Sequence, residues 1–309
     1  MARVAAVDCG TNSIRLLVAD VDVDGRLRDV HREMRVVRLG QGVDATGRLA
    51  PDAVERTRVA LVDYAAVIAR AGADRVRMVA TSATRDAENR EDFFGMVRSV
   101  LGVDAEVVTG DEEARLSFAG AVGELDPEQG PFLVVDLGGG STELVLGDAG
   151  GVAAARSVDV GCVRLTERCL HGDPPSAQEV AEARGVANEV LAAAFAAVPV
   201  ERARTWVGVA GTFTTLAAVA AGLQAYDSER IHLSRVGLDR LHGVCADLVA
   251  MTRAQRAALG PVHPGRVDVI GGGALVCDVL AAEVRARAGL TELVVSEHDI
   301  LDGIALSLG

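Results

Sequence analysis

The chain has 309 residues, a formal charge of −13 at neutral pH, half its residues apolar and 3% aromatic. That length exceeds what one hydrophobic core usually organises, so two domains are expected, and the acidic balance excludes a general nucleic-acid surface. All 31 basic side chains are arginine. This excludes a phosphate-loop lysine and Schiff-base chemistry, and leaves arginine forks, backbone amides or metal to bind phosphate.

Residues 3–9 and 14–21 are predicted to form a β-hairpin, with a third strand over 30–39 running into a glycine turn at Gly40 and Gly42. Pro51 opens a helix through about Arg70, with Asp52 in its first turn. A short buried strand over 76–80 follows, then a helix capped by Asn89 through Val100, a strand over 105–108, and a helix from Asp111 to about Val122. The polar, turn-rich segment Gly123–Pro131 is the expected linker, dividing a domain of residues 1–125 from one of 126–309. Beyond it a hairpin restarts, followed by helical regions over 177–197 and 239–259 and a strand over 294–296. A closing helix lies within about 297–309 and is expected to pack back on the first domain.

Five cysteines, odd in number and without a CxxC pair, suit reduced thiols. No basic-then-apolar leader opens the sequence, and the apolar stretch around Leu216–Leu223 is too short to span a bilayer. The expectation is a cytoplasmic protein with no membrane or nucleic-acid partner.

One phrase occurs twice: AAVDCGTNSIRLLVADV near the start and FLVVDLGGGSTELVLGD later. Aligning Asp8 with Asp136, an offset of 128 residues, also aligns Gly10 with Gly138 and Ser13 with Ser141. Each copy is an apolar strand, an Asp, a glycine-bearing loop and a second apolar strand. A second pair, VRMVATSATRDAEN and TWVGVAGTFTTLAA, aligns at an offset of 130, and a weaker third sets VVTGDEEA against VIGGGALV. The repeat predicts a duplicated α/β protein with two facing phosphate-handling hairpins.

Three consecutive glycines after a buried strand have no packing use and cost conformational entropy. The amides of Gly138, Gly139, Gly140 and Ser141 are therefore expected to wrap a phosphate. Alternation puts Ser141 and Glu143 on one face of the next strand, so Asp136, Ser141 and Glu143 could converge on Mg2+. In the first copy Thr11, Asn12 and Ser13 offer polar donors, and Arg15 replaces the glutamate. Asp8 is either a second metal or water ligand, or a carboxylate bonded to its own loop. Asp111, Glu112 and Glu113 begin a helix, where carboxylates favour the dipole. Arg85 follows a strand end, and by itself is no more than a surface arginine. The histidines show no zinc or triad spacing.

The series DCGTNSIR, ATSATRDAEN, TGDEEARLSF, VVDLGGGSTELV, SVDVGCVRLTE, GVAGTFTTLAA, HPGRVDVIGGGALV and VSEHDILDGI spans nearly the whole chain. In order and spacing it resembles the exopolyphosphatase/guanosine pentaphosphate phosphohydrolase (Ppx/GppA) family. The resemblance implies two duplicated ribonuclease-H-like domains of the actin/sugar-kinase/Hsp70 superfamily, with the active site in a cleft between them. It implies release of terminal orthophosphate from inorganic polyphosphate or from pppGpp, dependent on Mg2+ or Mn2+.

Matched motif to motif, Glu113 takes the place of the catalytic glutamate, orienting or deprotonating the attacking water. Asp136 and Glu143 hold the metal, with Asp8 a further candidate. Gly138, Gly139, Gly140 and Ser141 grip the scissile phosphate. Asn12, Ser13 and Arg85 hold phosphates from the first domain, and Gly211 and Thr212 from the second. Family members are commonly dimers, so a homodimer is expected.

Longer members continue into helical C-terminal domains, whereas this sequence ends at Gly309, and its SEHDILDG resembles the short actinobacterial branch. Short polyphosphate is therefore the expected substrate. A small-molecule kinase is one rival, with GGGA at Gly271 imitating an adenosine pocket. A non-hydrolytic polyphosphate or alarmone sensor is the other.

Overall fold

The structure is a computed structural model and describes residues 2–23 and 25–309. It divides into two compact units. One takes the chain through Gly120 together with Ile300–Gly309; the other spans Ala121–Asp299.

The first unit is built on a five-stranded sheet. Strands β1 (Ala2–Cys9), β2 (Ser13–Val21) and β3 (Leu27–Val36) are antiparallel neighbours, and β4 (Arg75–Ala80) and β5 (Ala105–Val107) extend the sheet in parallel from β1. The spatial order is β3-β2-β1-β4-β5. The second unit holds β6 (Phe132–Leu137), β7 (Thr142–Asp148), β8 (Gly151–Val158), β9 (Thr205–Val209), β10 (Ser234–Gly237) and β11 (Glu292–Val295). Its order, β10-β11-β9-β6-β7-β8, repeats the first sheet once β10 is set aside.

Even the register repeats: Asp8 lies beside Val79, and Asp136 beside Val209, which preserves the offset of the second sequence pair. The expected duplicated α/β architecture, three antiparallel strands followed by parallel additions in the ribonuclease-H-like manner, is present.

Helices make the central strands unbroken apolar runs by covering both faces. In the first unit the helix Pro51–Ala71 starts with Pro at its first turn and stops at Gly72, φ +67°. It buries Leu61, Tyr64 and Ile68 against Ala5, Val7, Leu16 and Val18, and Tyr64 Oη donates to Ile14 O at 3.0 Å. The opposite face takes the helix Ile300–Leu306, whose Ile300, Leu301 and Ile304 pack on Val4, Ala6, Leu17 and Ala19. Its buried Asp302 is matched by Arg32 of β3 at 2.5 Å. The long helix Ala177–Ala197 of the second unit begins in a Ser176–Glu179 capping box.

Several expectations need correction. The third strand ends at Val36, because Val37 N–H and Arg38 N–H leave the ladder to donate to Asn12 O. Asn89 stands at the N-cap of the helix Arg90–Leu101, but its side chain brackets the Leu49 backbone at 2.8 and 3.0 Å instead of capping. The region 239–259 is two helices, Leu238–Ala250 and Arg253–Ala257, separated where Thr252 opens a new capping box. The third repeat pair also fails. No strand precedes the helix Ile270–Ala288, and the position of β5 is occupied in the second sheet by β11. No described helix is long and apolar enough to cross a membrane.

Candidate active site

The hairpin β6–β7 carries a buried pair of carboxylates. Asp136 and Glu143 face one another directly in the antiparallel ladder and are 6% and 1% exposed. Directly opposed residues share a face, and two carboxylates so placed repel unless a positive group lies between them. Their hard oxygen donors fit Mg2+ or Mn2+, and lack the nitrogen and sulfur that would favour zinc. The row continues: Glu143 stands opposite Ser157 of β8, whose hydroxyl donates to Glu143 Oε1 at 2.7 Å.

The glycine loop after β6 is held by its carbonyls. Gly138 O accepts from Cys162 N–H at 3.0 Å, and Gly139 O accepts from Val163 and Arg164 N–H at 2.9 and 3.1 Å, so both cap the helix Cys162–Cys169. A side chain on Gly161 would lie 2.5 Å from Gly139 O, which explains that glycine. Across a trans peptide the N–H opposes the preceding C=O, so the Gly139 and Gly140 N–H groups point away from the helix. The Gly138 N–H instead closes the turn on Ser141 O at 3.1 Å. Ser141 is buried at the foot of β7.

Strand β9 runs directly into the helix Ala210–Ala220. Val209, beside Asp136, leads into Ala210, which holds φ +70° without being glycine. Strain of that kind costs about 1–3 kcal/mol and persists where surrounding structure imposes it. Next to it, a side chain on Gly211 would fall 2.1 Å from the Arg266 guanidinium, so Arg266 lies directly over the Gly211 backbone. Thr212 is buried behind it. Sequence reasoning missed Arg266, although HPGR marks a Pro-Gly turn that holds an arginine at its end.

In the first unit the equivalent row has a different charge pattern. Asp8 stands opposite Arg15, which donates to Asp8 Oδ2 from Nε at 3.0 Å and Nη2 at 2.7 Å. The next residue in the row is Met34. Asn12 is buried, with its carbonyl tied to Val37 and Arg38, and Ser13 opens β2 half-buried. Arg85 and Glu113 are brought together: Arg85 Nη1 donates to Val108 O at 2.8 Å and to Glu113 Oε2 at 3.1 Å. Of the three acids opening the helix Gly110–Val122, Asp111 and Glu112 are exposed and Glu113 is buried. A carboxylate serving only the helix dipole has no need of burial.

A model of the Ppx/GppA phosphatase family matches residues 17–308. The chain belongs to this family. It is 63% identical over 317 residues to exopolyphosphatase 2 of Mycobacterium tuberculosis (strain ATCC 25618 / H37Rv), covering 100% of this chain and 99% of that protein. A solved exopolyphosphatase-like protein superposes with a TM-score of 0.97 at 46% identity, covering 100% and 98% of the two chains. The PPX-GPPA enzyme of Aquifex aeolicus gives 0.81 at 32% identity, covering 99% of each.

Two features of this Ppx/GppA chain have structural explanations. The run Gly271–Gly273, a possible adenosine pocket by sequence, lies inside the helix Ile270–Ala288. Added side chains there would meet Arg256, Thr166 and Thr212 at 2.9, 2.3 and 2.7 Å, so the glycines permit close packing. Among the described residues, Glu124, His232 and His298 form a cluster with metal-ligand chemistry. His232 Nδ1, however, accepts from Glu297 N–H at 3.2 Å, so the neutral ring carries its proton on Nε2 and donates to Glu124 Oε2 at 2.7 Å. Ligation at Nε2 would require that proton to move onto the nitrogen already accepting a bond.

Proposed function

We propose that the chain is an exopolyphosphatase releasing terminal orthophosphate from inorganic polyphosphate, short chains above all, with Mg2+ as its cation and Mn2+ as a substitute. The observation that carries this is the buried, directly opposed pair Asp136 and Glu143, on the hairpin whose glycine loop is anchored through its carbonyls to the helix Cys162–Cys169. Paired carboxylates suit a divalent cation, and the amides of a glycine loop suit phosphate. Asp136 and Glu143 would hold the cation, which when bound would supply charge neutralisation for phosphate.

Glu113 accepts the proton of the attacking water as the new P–O bond forms. The bridging P–O bond breaks, and its electron pair leaves on the shortened polyphosphate. Arg85, in contact with Glu113, orients that carboxylate and also holds substrate phosphate. Asn12 and Ser13, with Gly211, Thr212 and Arg266, hold further phosphates, while Gly138 and Ser141 close the loop. The Arg15 fork supports Asp8 as an organiser of its own hairpin over Asp8 as a metal ligand. Positioning and electrostatics then supply most of the acceleration, as phosphoryl transfer requires. A net charge of −13 is compatible with a polyanionic substrate where loop amides, Arg266 and a cation on Asp136 and Glu143 would offset it. We assign the enzyme to the cytoplasm as a homodimer.

The test is metal-dependent orthophosphate release from triphosphate, long polyphosphate and pppGpp, by wild type and Glu113→Gln. Triphosphate should be cleaved fastest, and the substitution should slow release about 10²–10⁴-fold. Undiminished hydrolysis would remove Glu113 from its role. Preference for pppGpp would reassign the substrate, and binding without release from any substrate would favour a sensor.

A further inference from the structure

The two hairpins differ most sharply at one row of side chains. In the first unit the row reads Asp8, Arg15, Met34; in the second, the equivalent row reads Asp136, Glu143, Ser157. The first row neutralises itself and ends in a thioether that donates no hydrogen bond. The second sets two carboxylates side by side and ends in a hydroxyl that donates to the nearer one at 2.7 Å.

We propose that Ser157 is a positioning residue for the divalent cation, acting through Glu143. The inference rests on Glu143 being a cation ligand, as assigned above. A glutamate on a strand retains several rotamers, and a ligating carboxylate is useful only in one orientation. The ladder fixes the Glu143 backbone, and the Ser157 hydroxyl fixes the far end of the side chain by engaging Oε1. Such outer partners of metal-binding carboxylates typically contribute 10–100-fold to metal affinity. Ser157 is half-buried on β8, the edge strand of its sheet. Without this hydroxyl Glu143 would lose the bond that engages Oε1, its carboxylate would be held less firmly, and weaker cation binding would follow.

The test is Mn2+ titration of the full chain followed by electron paramagnetic resonance, with thermal melting as the control for folding. Ser157→Ala should weaken Mn2+ binding about tenfold. Ser157→Cys, which keeps the volume and loses the strong donor, should do the same, and Ser157→Thr should restore affinity. In orthophosphate release, Ser157→Ala should raise the half-saturating Mg2+ concentration while kcat at saturating Mg2+ stays near wild type; a merely structural role would not give that split. If Glu143→Gln leaves Mn2+ affinity intact, the cation ligand is misassigned and this inference falls with it. If Glu143→Gln weakens binding but Ser157→Ala and Ser157→Cys bind within twofold of wild type, Ser157 alone is excluded.

Discussion

The hairpins β1–β2 and β6–β7 share a turn bond, Gly10 N–H to Ser13 O in one and Gly138 N–H to Ser141 O in the other, and a common sheet order. They differ in where their charges go. The first is bound to itself: Arg15 matches Asp8, and Arg3 and Arg28 both hold Asp20. In the second, Asp148 stands in place of Asp20 and merely accepts from Gly150 N–H in its own exposed turn, while Asp136 and Glu143 concentrate negative charge in the buried end. A duplicated element has become a brace in one unit and a charged site in the other. Backbone geometry was kept, and a few side chains carry the whole division of labour.

The largest expected effect comes from giving the second hairpin the first one's charges. Glu143→Arg sets a guanidinium opposite Asp136, as Arg15 stands opposite Asp8. Orthophosphate release should fall ~10³-fold or more, the order seen when a preorganised electrostatic group is lost, while melting shows a folded chain. Retained turnover would break the comparison at its strongest point.

Next is the brace itself. Arg15→Ala leaves Asp8, 4% exposed, without its fork, and removing one partner of a buried pair costs about 3–5 kcal/mol. Urea denaturation should show the first unit unfolding earlier. A loss below ~1 kcal/mol would mean the pair is incidental.

A smaller effect separates the ends of β4 and β9. Ala80 closes β4 in extended backbone, whereas its counterpart Ala210 is held at φ +70°. Ala210→Gly should raise stability by about 1 kcal/mol, the cost of a side chain in the left-handed region. It should also lower kcat by loosening the start of the helix Ala210–Ala220, where Gly211 lies. A destabilised variant would contradict the strain.

Acid should weaken the first hairpin selectively. Hydrogen bonds from Arg3 and Arg28 hold the Asp20 carboxyl far below its usual range. A lowered folded-state value means that the unfolded chain binds the proton more readily. The stabilisation is therefore complete above the ordinary carboxylate value of about 4 and fades as pH drops toward the lower folded value. Melting of wild type against Asp20→Asn should differ at pH 7 and converge in acid; a constant gap would show that the pair does not titrate as described.

Much of this was legible in the sequence because the repeat preserves both spacing and register. Asp8 and Asp136 align on paper and occupy equivalent ladder positions in space. Other features depended on tertiary partners. VIGGGALV resembles a phosphate loop, yet its glycines admit neighbouring side chains into a helix contact. Asn89 occupies a cap position but is claimed by Leu49. Ser157 could not be matched to Glu143 by counting, because the β7–β8 register shifts at Leu146 and Gly147. Glu113 was distinguished from its acidic neighbours by the family resemblance, and its burial against Arg85 became visible only in the fold.

The division between the hairpins is tested most directly by comparing Mn2+ binding in Asp8→Asn and Asp136→Asn, using electron paramagnetic resonance on the full chain. Asp136→Asn should abolish the bound ion and Asp8→Asn should retain it with near-wild-type affinity. Loss of the ion in Asp8→Asn, with Asp136→Asn unaffected, would reverse the roles assigned to the two copies.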